Sequence, residues 1–176
     1  MDDNTLHHPY AERNEDYAGA VCWLLWSRKT NSFHQRQSLV DVEDFEAVKH
    51  LPWKMQKVGK KRYWRVCYGS AGETRYLARH LLNFPENSIV DHANRDTLDD
   101  RRKNLRTCTV AQNNLNRPGT GTSRKGIVWS PIRKKWRVVA AGYLIGHFED
   151  EDEAVRAYNR YMLHHVGEFA YLNPNK

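Results

Sequence analysis

From Leu39 onward, short apolar runs alternate with stretches punctuated by Gly, Pro, Asn and Asp, a pattern that predicts a succession of short elements. Residues 39–42 (Leu-Val-Asp-Val) predict a strand and residues 43–50 a short helix. Residues 63–68 and 74–78, rich in aromatic and β-branched side chains, predict two strands around a turn at 69–72. A further short strand is predicted over 88–91 and another over 104–108. Thr109-Val110-Ala111-Gln112 then has the T-x-x-Q spacing in which two side chains satisfy each other's backbone N–H groups, so a helix should open there. Before residue 37 the pattern has no sustained period, apart from one predicted strand over 21–26.

Residues 118–123 combine Pro, Gly and Thr, which disfavour helix and offer little side chain to pack, so a linker is predicted there. Beyond it, 126–130, 136–141 and 143–148 predict three short strands, the last two joined by a tight turn at Gly142. Ala154, Ala157, Tyr158, Tyr161 and Met162 then recur at the spacing of one helix face, and Trp136 should pack beneath it. Acidic residues stand at the helix's N-terminal end, where the backbone dipole favours them, and Gly167 is placed to end it. The expected organisation is α+β: a poorly defined segment 1–36, a first domain 37–117, a linker 118–123 and a module 124–173 of three antiparallel strands on one helix.

Composition narrows what such a chain can do. The 176 residues are 40% hydrophobic and 28% charged with a mean hydropathy of -0.83, which suits a folded soluble protein. The longest apolar stretch, 18–26, is about half the length that spans a bilayer, and no cleavable leader is apparent. A cytoplasmic location without membrane contact is expected. Cys22, Cys67 and Cys108 are odd in number and scattered, which leaves no disulfide framework and no four-cysteine zinc site. The net charge of +7 points to a polyanionic partner. Between Asp91 and Arg137 there are twelve Lys or Arg against four Asp, so the basic charge is concentrated in the middle of the chain.

Within that basic stretch lies the candidate chemistry. Hydrolysing a phosphodiester requires a base to activate water and positive charge to stabilise the phosphate and the leaving oxygen. Histidine titrates near neutrality, so His92 is suited to take the proton. Asp91, beside it at a strand end, offers a hard oxygen to Mg²⁺. Asn104 on the next strand and Asn113 on the following helix complete an Asp-His, Asn, Asn series, although Asn-rich segments also serve simply as turns and caps.

The runs Val90-Asp91-His92-Ala93-Asn94, Leu98 to Arg106 and Gln112 to Arg117 together resemble the core of HNH endonucleases, most closely the homing enzymes of phages and introns. The resemblance implies a ββα-metal nuclease core with His92 as the base, Asp91 and Asn113 as ligands of one Mg²⁺ or Mn²⁺ per site, and Asn104 holding the His92 ring through its other nitrogen. Two positions depart from the family pattern: Arg95 stands where Gly is frequent, and Asp100 where Asn is common.

Ser123 to Trp129, Lys135-Trp136-Arg137, Ile145 to Phe148, Glu153 to Tyr158 and Gly167 to Asn173 resemble the ethylene-response-factor (APETALA-type) DNA-binding domain. In that family the sheet lies in the major groove, which is wide enough to admit strands. The matching residues here are Lys125, Trp129, Arg133, Lys135 and Arg137; Arg101, Arg102 and Arg117 are further expected DNA contacts. Val128 and Ser130 replace arginines that plant members often carry, so the plant sequence preference does not transfer. The expected function is a site-directed DNA endonuclease acting on duplex DNA, as monomer or homodimer, without a small-molecule cofactor. The alternatives are a non-catalytic DNA-binding regulator and an RNA-binding protein.

Overall fold

A computed structural model of the chain describes residues 11–12, 20–27, 32–59, 63–69, 72–119 and 124–175. Most of the predicted segment 1–36, and positions 120–123 of the predicted linker, lie outside the described residues. The chain is mixed α+β and divides into two compact units, Met1–Cys108 and Thr109–Lys176.

The first unit carries β1 (Ala11–Glu12), β2 (Ala20–Ser27) and β3 (Ser32–Asp41), paired antiparallel in that order. β3 begins well before the predicted strand at 39–42, because its first half lacks the apolar alternation that would mark it. Then come α1 (Val42–Val48), β4 (Lys54–Val58), β5 (Tyr63–Tyr68), β6 (Arg75–Tyr76) and α2 (Leu77–Leu81), with β5 central in the sheet β4-β5-β6. The pattern did not predict β4: only Met55 of its five residues is buried, as suits an edge strand. The strand expected over 74–78 stops at Tyr76, and α2 takes over because Leu77, Ala78 and Leu81 share one buried helical face. β7 (Ile89–His92) and β8 (Leu105–Cys108) form a separate antiparallel pair. A single apolar cluster joins β3, α1, β4, β5, α2, β7 and β8, with Val40, Val48, Trp53, Val66, Leu77, Val90 and Leu105 among its members.

The second unit opens with α3 (Val110–Asn116), and its predicted cap is present: Thr109 Oγ1 accepts from Gln112 N while Gln112 Oε1 accepts from Thr109 N. β9 (Ile127–Ser130), β10 (Lys135–Ala140) and β11 (Tyr143–Phe148) form an antiparallel sheet with β10 in the centre. Gly126 enters β9 at φ +72°, where a Cβ would collide with the Val139 carbonyl, so only glycine fits. α4 (Glu151–His165) is capped by Asp150, whose side chain accepts from Glu153 N at 2.8 Å, and it packs Ala154, Val155, Tyr158 and Met162 against Ile127, Val138 and Ala140. Leu115 of α3 and Trp136 join this cluster, and Tyr171 N donates to Leu115 O. α3 therefore groups with the C-terminal sheet and helix, on the other side of the boundary from the expected domain 37–117.

Candidate active site and nucleic-acid surface

β7 and β8 pair Asp91 with Arg106 and His92 with Leu105. Neighbouring strand residues face opposite ways. Asp91 meets Arg106, which donates to Asp91 Oδ2 from Nη2 at 2.8 Å and from Nε at 3.1 Å. His92 turns instead toward the loop that joins the strands, where its Nε2 lies 2.9 Å from Asp100 Oδ1. Both members of this second pair are almost fully buried, at 5% and 2% exposure. Burial pushes the Asp100 carboxyl up, opposed by its hydrogen bonds with His92 and Ser38 and by the positive charge of Arg65.

The loop between the strands is cross-linked from within. Asn104, 6% exposed, accepts from Asn94 N through Oδ1 at 2.9 Å and donates to Asp99 O through Nδ2 at 2.7 Å. Its own carbonyl accepts from Ala93 N. Asn94 accepts from Asp96 N and donates to Asp99 Oδ2. Arg95, in the turn that follows β7, is exposed and adopts φ +68°, the left-handed conformation that glycine takes with less strain. From outside, β3 grips the same loop, since Leu39 N donates to Leu98 O and Asp100 N to Leu39 O, both at 2.8 Å.

This corrects one assigned role. Asn104 does not hold the His92 ring: both ends of its amide are engaged by loop backbone, and the carboxylate at the ring is Asp100. In the sequence Asp100 stands out only as a departure from a family pattern, and nothing there assigns a role to Ser38 or Asn94. The available signal was a second carboxylate eight residues beyond the histidine.

The residues fit a cation site of the kind that takes few protein ligands. Among the described residues no three His, Cys, Asp or Glu side chains converge to hold a metal ion. Mg²⁺, however, keeps several waters and is commonly held by one or two carboxylates together with substrate phosphate. Asp91 would be the carboxylate to hold such a cation, which would then share it with Arg106 or displace the guanidinium. Asn113 is half-buried on α3 in the second unit, and its part as a ligand rests on the sequence alone.

The expected DNA contacts separate into engaged and exposed groups. Arg101 is committed to Asp99 through Nε and Nη2, both at 2.7 Å. Burial opposes the charged form of Asp99, but the hydrogen bonds and charge of Arg101 outweigh it and hold that carboxyl below its usual range. Arg102 forks onto Asp44 of α1. The ammonium of Lys125 is engaged as well: its Nζ donates to the carbonyls of Asn114, Leu115 and Arg117 at 3.0, 2.7 and 2.7 Å, closing the C-terminal end of α3. Trp129 stacks edge-on to Trp136, its partner across the strands, on the face toward the helix.

On the opposite face of the sheet, the register places Val128, Arg137 and His147 in one row, and Ser130 beside Lys135. Arg137 and Arg133 are exposed, as is Arg117 at the end of α3, while Lys135 pairs with Glu149 at 3.2 Å. Of the expected contacts, Arg117, Arg133 and Arg137 are therefore the ones that lie exposed.

No helix among the described residues is long and apolar enough to cross a membrane. No match to the chain was found among curated proteins or among solved structures. A family model described as HNH endonuclease matches residues 83–115, the stretch that contains β7, the cross-linked loop, β8 and most of α3.

Proposed function

We propose that this protein is a metal-dependent DNA endonuclease with His92 as its general base and the β9-β10-β11 sheet as its means of holding duplex DNA. The observation that carries the reading is the coincidence of the HNH match over 83–115 with a histidine fixed at the mouth of a cross-linked hairpin loop. His92 takes a proton from water as the water oxygen bonds to phosphorus; the bond from phosphorus to the leaving sugar oxygen breaks, and that oxygen acquires a proton from solvent. A bound Mg²⁺ or Mn²⁺ would supply positive charge to the phosphate and leaving oxygen, with Asp91 as its carboxylate ligand. Asn104 keeps the loop in register by joining its two ends. A homing-type enzyme of phage origin is the specific form we favour, on the likeness of 90–117 to such enzymes. The likeness of 123–173 to ethylene-response-factor domains supports DNA docking by the exposed sheet face, through Arg133, Lys135 and Arg137.

The second reading, a DNA-binding regulator that does not cut, is favoured by the ion pair that already occupies Asp91. Supercoiled plasmid incubated with the protein and Mg²⁺ separates the two. Relaxed circles that disappear with EDTA and with His92→Ala, while the variant still binds the plasmid, are the expected result. Cutting by the variant at the wild-type rate would remove His92 as the base, and binding without cutting in any divalent cation would leave the regulator.

A further inference from the structure

The buried carboxylate at His92 has no part in the mechanism above, and the fold goes to some length to place it there. Asp100 is the last residue of a loop segment that runs beside β3, with its N–H on Leu39 O and the preceding turn of chain bonded to Leu39 N. Ser38, fully buried on the same strand, directs Oγ at Asp100 Oδ2 from 3.4 Å. Residues more than sixty positions apart thus fix one carboxylate, and its other oxygen lies 2.9 Å from the imidazole.

We propose that Asp100 is the positioning residue of the His92 base: by accepting the Nε2 hydrogen it selects one tautomer and one ring orientation, and leaves the basic lone pair on Nδ1. The inference rests on the nuclease reading for its kinetic consequences but not for the tautomer. A neutral imidazole carries its hydrogen on one nitrogen only, and the hydrogen bond made there decides which. When the ring takes a proton from water it becomes a cation in a buried site, where an uncompensated charge is costly. A carboxylate already in contact offsets that charge. An asparagine would hold the ring without doing so, and could also turn its NH₂ toward Nε2 and favour the opposite tautomer. Burial disfavours the ionised form of Asp100 and raises its pKa, while the contacts with His92 and Ser38 and then the positive charge of Arg65 act against that.

The test has two readouts on the full-length protein. Nitrogen NMR of ¹⁵N-histidine-labelled protein without metal, with the His92 signals assigned by their loss in His92→Ala, should show Nε2 protonated and Nδ1 unprotonated at slightly alkaline pH. Nδ1 protonated with Nε2 bare would overturn the proposal, because Asp100 would then be the donor, and both nitrogens protonated would overturn it as well, because no basic lone pair would remain. In single-turnover plasmid nicking with Mg²⁺, Asp100→Asn and Asp100→Ala should lower the rate constant on the order of a hundredfold or more, with DNA affinity within about twofold. Rates within about twofold of wild type in folded Asp100→Asn would also overturn it. Should Asp100→Ala fail to fold, Asp100→Asn, which has nearly the same volume, decides. A wild-type protein that never nicks would sink the nuclease reading alone, and the ring spectrum would still decide the tautomer.

Discussion

Lys125 distinguishes a lysine that holds the fold from one that holds DNA, and replacing it with methionine tests which it is. Methionine keeps an unbranched apolar side chain and removes the ammonium, so the loss is confined to three N–H···O=C contacts at the end of α3. Hydrogen bonds involving a charged group contribute about 1.5–3 kcal/mol each at best. The carbonyls of Asn114 and Arg117 sit on exposed residues and can recover water, and Leu115 O retains Tyr171 N. The ammonium also stands 5.7 Å from the Tyr171 ring centroid, worth about 0.5 kcal/mol at a partly exposed site. Against these gains, burial and then the neighbouring Arg117 disfavour the charged form and lower the Lys125 pKa, a cost that methionine does not carry. The balance is a destabilisation of about 1–2 kcal/mol. Urea unfolding should show a lower midpoint at unchanged slope. The salt dependence of plasmid binding should be that of wild type, whereas Arg137→Gln should reduce its slope by about one unit with little effect on the urea midpoint. A Lys125→Met protein of wild-type stability with a reduced salt slope would refute the structural role and restore Lys125 to the DNA contacts.

Two further outcomes follow from the first unit. Asn104→Ala strips the partners from Asn94 N and Asp99 O, the latter in a buried bond, and should cost about 2–3 kcal/mol in urea unfolding; a loss below about 0.5 kcal/mol would mean that the loop does not depend on this clamp. His80 packs edge-on to Trp53, Tyr68 and Phe84, with Nδ1 buried and lacking a hydrogen-bond partner, and burial first, then the charges of Arg75 and His50, lower its pKa from 6.5. The unfolded chain therefore protonates first as pH falls: the contribution is fully present above 6.5 and is lost as pH drops toward the folded value. Thermal unfolding of wild type should weaken through that window more than that of His80→Phe, and parallel pH profiles would exclude His80 as the source.

What the sequence disclosed and what it concealed divide by the distance between partners. The capping box at Thr109 and Gln112 was legible because both partners lie within one helical turn, and the apolar face of α4 because its period repeats along the residues that make it. β4 was not legible, since an edge strand with one buried side chain leaves almost no period, and α2 was hidden within five residues whose pattern also suits a strand. His92 and Asn104 stand out by residue type and by their likeness to a family motif, yet the contact with the ring expected of Asn104 is made by Asp100. Which of them meets the imidazole is settled by the path of the loop between β7 and β8 and by its seat on β3, and neither is encoded within the motif. Lys125 shows the same thing for charge. In a run of basic residues it is indistinguishable from Arg133 or Arg137, and what separates it is three backbone carbonyls at the end of a helix that precedes it by nine residues. A motif fixes which chemical groups are available, but backbone geometry decides whether each is spent on the fold or left for a substrate. The residues to test first for function are accordingly those, such as Arg137, whose charge the fold leaves exposed, together with those, such as Asp100, whose buried carboxyl is aimed at an imidazole and not merely at a structural partner.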